Sequence, residues 1–134
     1  MESLIYMITP NEASVLGNGV LPLTTIARRL GRGVANNGNS VLLNMAGYYE
    51  ISVSATFTAP VAGDVSIKVQ AGGVDVAGAT ATTTITTAST ETRSLAFSTI
   101  VRVLPCVGPV DITLINGETA INTTNISLSV KYLG

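Results

Sequence analysis

Gly47-Tyr48-Tyr49-Glu50-Ile51-Ser52-Val53-Ser54-Ala55-Thr56-Phe57 is the stretch that decides the fold. Tyr49, Ile51, Val53, Ala55 and Phe57 share one parity, and Tyr48, Glu50, Ser52, Ser54 and Thr56 share the other. A period of two sustained this long is a β-strand with one face toward a core and one toward water. The alternation recurs downstream. Val65, Ile67 and Val69 oppose Asp64, Ser66, Lys68 and Gln70, and Ile126, Leu128, Val130 and Tyr132 oppose Asn125, Ser127, Ser129 and Lys131.

Asn18-Gly19, Asn37-Gly38 and Asn116-Gly117 mark tight turns between such strands. Between the turn signals, candidate strands fall at about 3–9, 22–30, 40–44, 47–59, 64–71, 74–78, 92–104, 109–115 and 124–133. With helix-period patterns nearly absent, this specifies an all-β protein, a sandwich or a barrel. The threonine tract over 79–90 reads as a connecting strand or crossover, because threonine is β-branched and the tract lacks the charge and proline of a disordered linker.

Segment 95–104 departs from simple alternation. Leu95, Phe97, Val101 and Val103 lie on one parity, and Ala96, Ile100 and Leu104 on the other. A strand of a two-layer sandwich meets the core on one side only, so its second apolar face meets either a neighbouring subunit or a loop of its own chain.

A length of 134 residues fits one domain. Only 11% of the residues are charged, against about 25% in an ordinary domain. Hydroxyls and amides therefore make most of the contact with water, and these groups are buried against another chain at little cost, which points to self-association. A net charge of -1 and the lack of a basic stripe argue against a nucleic-acid partner. No apolar run approaches the roughly 18 residues of a membrane-spanning helix, so no membrane is expected. Met1-Glu2-Ser3-Leu4 lacks the positive region of a secretory signal, and synthesis in a cytosol is expected. Cys106, the single cysteine, has no internal bridging partner and reads as a small buried filler.

The chain has no histidine, which removes the usual general base, zinc ligand and triad member together. No glycine-rich loop carries a phosphate-binding lysine, and the acids are scattered. The expectation is no catalytic residue, no cofactor and no metal. Candidate binding residues remain. Arg28-Arg29-Leu30-Gly31-Arg32 is the densest charge, either a solvated rim or a contact between subunits with Glu91 or Asp111 as mate. Asn36-Asn37-Gly38-Asn39 lacks the carboxylate of a calcium loop and reads as a turn. Tyr48 and Tyr6 are possible aromatic anchors. With Asn36, Asn37 and Asn39, Tyr48 defines a candidate ligand cleft between subunits that would suit a glycan. The alternative is that Tyr48 and Tyr49 split into one rim ring and one core ring.

Ala46-Gly47-Tyr48-Tyr49-Glu50-Ile51-Ser52-Val53, followed by Gly63-Asp64-Val65-Ser66-Ile67 and Gly73-Val74-Asp75-Val76-Ala77-Gly78-Ala79, resembles small tumour-necrosis-factor-like and complement-head-like jelly rolls. The resemblance is nearest to members encoded among the virion structural genes of phages. It takes in the segments from Leu21 to Gly31 and from Ile100 to Cys106, and so most of the chain from residue 20 onward. The globular domain of spore-coat collagen-like glycoproteins is of the same type, but it follows a Gly-x-y stalk that this sequence does not contain.

The resemblance implies a trimeric jelly-roll sandwich of about 8–10 antiparallel strands over residues 21–134, preceded by an N-terminal strand or docking segment over 1–20. Together with the double-sided segment and the arginine cluster, it places a homotrimer interface at Phe97, Ile100, Arg102, Leu104, Arg28 and Arg29. The implied role is non-enzymatic and at the virion surface, as a capsid decoration or head-fibre protein docked on the major capsid protein or another virion protein. The alternative is a receptor-binding or glycan-binding module at a fibre tip.

Overall fold

A computed structural model describes residues 2–134; Met1, the first residue of the expected docking segment, lies outside the described residues. Among them are eleven strands and no helix: β1 (Leu4–Thr9), β2 (Ala13–Val15), β3 (Thr25–Leu30), β4 (Val34–Asn37), β5 (Ser40–Leu43), β6 (Gly47–Thr58), β7 (Gly63–Ala71), β8 (Val74–Ile85), β9 (Arg93–Val103), β10 (Val110–Asn116) and β11 (Ile121–Tyr132). One sheet runs β3-β1-β11-β6-β9, with β2 pairing the start of β11. The other runs β4-β5-β10-β7-β8. Every pairing is antiparallel.

The parity read from β6 is the parity observed. Tyr49, Ile51, Val53, Ala55 and Phe57 are buried against the second sheet, from which Val65, Ile67 and Val69 of β7 and Ile112 and Leu114 of β10 face them. Each large apolar side chain fully withdrawn from water contributes about 1.5–3 kcal/mol. Tyr48 and Tyr49 split as the alternative reading had it, with Tyr48 on the wet face and Tyr49 inside.

On β11 the simple alternation is broken once. Ile121 and Thr123 point inward, yet so do Ile126, Leu128 and Val130, which lie on the opposite parity. A register shift against β6 between Thr123 and Asn125 absorbs the extra residue, as a β-bulge does.

Nine of the eleven strands fall where the sequence places them, and the two short strands β2 and β4 are additional. The threonine tract is mostly ladder: β8 continues to Ile85, paired with β7 from Gly63 to Lys68. Its register is set by Ala79 and Ile85, both buried, and by Thr84 Oγ1 donating to Asp64 Oδ1 at 2.7 Å. β1 lies between β3 and β11 with Ile5 and Met7 buried, so this part of the N-terminal segment is a strand of the sheet. Cys106 corrects the sequence reading. It is exposed, in the loop between β9 and β10, because that loop packs on neither sheet and every residue from Leu104 to Pro109 is exposed.

Candidate functional site

The six-stranded sheet turns one face to the core and the other to solvent, and cross-strand register assembles the solvent face row by row. Tyr6 stands opposite Ser129, Ser129 opposite Ser52, and Ser52 opposite Ser98. In the next row Ile8 meets Ser127, Ser127 meets Ser54, and Ser54 meets Ala96. Such small side chains, running across four strands, leave a trough of about 440 Å³ walled at one side by Tyr6. Toward the β9–β10 loop the row is Leu4, Lys131, Glu50 and Ile100, and beyond it Tyr48 faces Arg102.

The edge of this face is apolar. Ile100 is 58% exposed and Leu104 50%, while Leu95, Val101 and Val103 on the other parity are buried. Among the described residues no loop covers Ile100 and Leu104 on the second face of β9, which removes that explanation of the double-sided pattern. The Arg102 guanidinium lies over the Tyr48 ring, 5.5 Å from its centroid, a cation–π arrangement that holds the arginine flat against the sheet. Phe97 belongs to the inward parity, opposite Val53, and packs against the core. Of the expected interface set, Ile100, Arg102 and Leu104 therefore point outward and Phe97 inward.

Arg28 stands opposite Tyr6, and its Nη1 donates to the Ala27 carbonyl at 2.7 Å. Arg29 is exposed on the other parity. Neither pairs with the mates considered for them. Glu91 accepts from the Thr86 hydroxyl at 2.6 Å and from Arg93 Nε at 2.8 Å, and Asp111 accepts from Ser40 Oγ at 3.1 Å and Asn37 Nδ2 at 3.2 Å. The ion pairs among the described residues are Lys68 with Asp75 and Arg93 with Glu91.

The cleft of Tyr48 with Asn36, Asn37 and Asn39 does not assemble within one chain. The asparagines sit on the β4–β5 hairpin of the other sheet, and their side chains are engaged there: Asn36 Nδ2 donates to Gly38 and Ser40, Asn37 Nδ2 to Asp111, and Asn39 Oδ1 accepts from the Leu23 amide. A polar hollow of about 480 Å³ lies elsewhere, lined by Glu12, Ser14, Thr58, Ser89, Asn122 and Thr124 among others. Among the described residues no three of the cysteine, aspartate and glutamate side chains gather as metal ligands would.

Solved structures superpose on this pair of sheets over nearly the whole chain. Eiger TNF from S. frugiperda superposes with a TM-score of 0.70 at 12% identity, over 100% of this chain and 92% of that one. The fold is a tumour-necrosis-factor-like jelly roll. The globular domain of zebrafish complement 1qA matches the jelly roll with a TM-score of 0.69 at 5% identity, over 98% of this chain and 96% of its own. PRD1 vertex protein P5 matches with a TM-score of 0.58 at 15% identity, over 98% and 97%. No family model and no curated protein sequence matches the chain. At these identities the likeness establishes the jelly roll and nothing finer.

The trough was the part of the site that sequence reasoning missed. Its signal was present as the hydroxyl parity of β6 and β11, which read only as a wet face. What turned that parity into a concave surface was the register of β6 against β11 and β9.

Proposed function

We propose that this jelly roll is a non-enzymatic structural protein of a bacteriophage particle, a homotrimer that sits on the virion surface as a capsid decoration or head-fibre protein. The observation that carries the reading is the uncovered apolar parity of β9. Ile100 and Leu104 stand exposed beside Tyr48 and Arg102 at the rim of a trough lined by serine and alanine. A neighbour's edge seated there would withdraw the apolar groups from water and accept hydrogen bonds from the serines. An interface of standard size needs roughly 800 Å² from each partner, and a face four strands wide offers an area of that order. Aromatic and arginine side chains at such a rim are the residue types enriched at interfaces.

The similarity to a phage vertex protein supports the virion setting, and a chain without histidine supports a mechanical rather than a chemical role. A protein that binds only the assembled shell stabilises it by linkage, in proportion to its occupancy. Charge is scarce over the whole chain, so its solvent surface is hydrated mainly by hydroxyls and amides.

The test is co-sedimentation of the purified protein with empty capsids of the same phage and, separately, with host cells. Saturable binding to capsids alone supports decoration. Binding to cells alone would overturn it in favour of a receptor-binding module. That second reading has one observation behind it, the polar hollow beside Glu12 and Asn122, whose carboxylate, amide and hydroxyl lining suits a polyhydroxylated ligand such as a glycan.

A further inference from the structure

Three Asn-Gly pairs occur in the chain, and the structure treats them very differently. The sequence couples an asparagine side chain to an unhindered following amide, the arrangement in which that amide nitrogen attacks the side-chain carbonyl carbon. The reaction requires a free glycine N–H, an asparagine able to rotate, and room to close a five-membered ring.

At Asn116-Gly117 all three conditions fail. Asn116 is fully buried and its Nδ2 donates to the carbonyls of Val15, Leu16 and Thr119, while the Gly117 amide donates to Ser66 O at 2.8 Å. At Asn18-Gly19 the side chain is exposed, but the Gly19 amide donates to Leu16 O at 3.0 Å and the Gly19 carbonyl accepts from Asn116 N at 2.9 Å. The nitrogen that would attack is thus held by its own hydrogen bond, and this is the condition that differs at Asn37, since the Gly38 carbonyl likewise accepts a bond, from Asn36 Nδ2 at 2.8 Å.

Asn37-Gly38 is the tip of the β4–β5 hairpin, and both residues are exposed. The Gly38 amide donates no hydrogen bond among the described residues, and nothing lies within 4 Å of where a Gly38 Cβ would stand. The Asn37 side chain is held by one contact, Nδ2 to Asp111 Oδ1 at 3.2 Å. We propose that Asn37-Gly38 is a site of spontaneous deamidation that the fold leaves open while it shields Asn18 and Asn116. The Gly38 nitrogen forms a bond to Asn37 Cγ, the Cγ–Nδ2 bond breaks, and ammonia leaves with the proton from Gly38. Water then opens the succinimide to an aspartyl or isoaspartyl residue.

The product does more than add a charge. A carboxylate replaces the amide that donates to Asp111, so two carboxylates face each other across the β4–β5 hairpin and β10, where like charges repel. Modification therefore loosens this edge of the five-stranded sheet at neutral pH.

The experiment incubates the native chain in mildly alkaline buffer, and a second sample of the same chain in urea, with peptide mapping by mass over time. In urea the three sites are equally free and react alike. In the native sample the gain in mass at Asn37 should run roughly tenfold or more ahead of that at Asn18 and Asn116, the factor that one retained amide hydrogen bond provides. The Asn37→Gln variant should lose the first acidic species seen on isoelectric focusing. Equal native rates at the three sites, reaction first at Asn18 or Asn116, or an unmodified Asn37 once the urea sample has reacted would each overturn the assignment.

Discussion

The Tyr49 hydroxyl donates to the Met45 carbonyl at 2.7 Å and accepts from the Met45 amide at 3.1 Å, so one buried ring closes the turn that carries the chain from the five-stranded sheet to the six-stranded one. The ring is fully buried and tilted against Tyr132 with centroids 5.1 Å apart. Tyr132 in turn donates to the Ala46 carbonyl at 2.9 Å. Its ring also explains Gly47, where the backbone has φ +136 and a Cβ would come within 2.8 Å of the tyrosine.

Removing the hydroxyl leaves both Met45 backbone groups without their partner while the ring still fills its place. Tyr49→Phe should therefore lower stability by about 1–3 kcal/mol, the usual consequence of orphaning partly buried polar groups. Urea unfolding should show this as a lower midpoint with an unchanged slope.

Burial pushes the Tyr49 hydroxyl above its ordinary value of 10.0, and nearby Tyr132 adds to the effect against the Met45 hydrogen bond. The folded state thus favours the neutral ring. Its contribution is complete below pH 10.0 and is lost as the pH rises through the elevated folded value. Alkaline unfolding of the wild type should be steeper than that of Tyr49→Phe over this window, measured by far-ultraviolet circular dichroism.

Glu91 staples the loop between β8 and β9. Its carboxylate accepts from the Thr86 hydroxyl and amide, from the Thr87 amide, and from Arg93 Nε. The Thr86 hydroxyl first and Arg93 second hold it down to about 2 from an ordinary 4.5. Stability from the staple is present above pH 4.5 and disappears as the pH falls through about 2. Glu91→Gln should speed amide exchange over residues 86–92 at neutral pH, and the difference from wild type should vanish at the acid end of the window.

How legible this molecule is from its sequence depends on the scale of the feature. The parity of β6, β7 and β11 is written in alternating apolar and hydroxyl residues, and it placed the core side of each strand correctly. β2 and β4 escaped because Ala13-Ser14-Val15 is too short to show a period and because Asn36-Asn37 carries the composition of a turn. The far half of β8 was obscured by its threonines, whose register comes from Asp64 and from two buried side chains rather than from any local pattern. Partner choice was decided locally. Glu91 takes Arg93, two residues on, and Thr86 and Thr87, five and four residues back, rather than Arg28 or Arg29, because groups on one short loop meet at little cost in chain entropy.

Ile100 is the residue whose environment separates a subunit interface from a plain solvent edge. It is already 58% exposed in the single chain, so a charge there leaves the fold of the protomer intact. In an assembled interface the same charge would be buried without a partner, at a cost of several kcal/mol. Ile100→Asp should therefore give a folded monomer with native circular dichroism. An unchanged assembly state would place the interface elsewhere on the jelly roll.

The most direct test of the account is the native mass of the wild-type protein, measured by light scattering across a dilution series. A homotrimer built on the β9 rim and the serine trough requires three times the chain mass of 13.7 kDa, held down to low concentration. A mass of one chain at every concentration would contradict it, leaving Ile100, Leu104 and Tyr48 as an exposed apolar rim on a monomer.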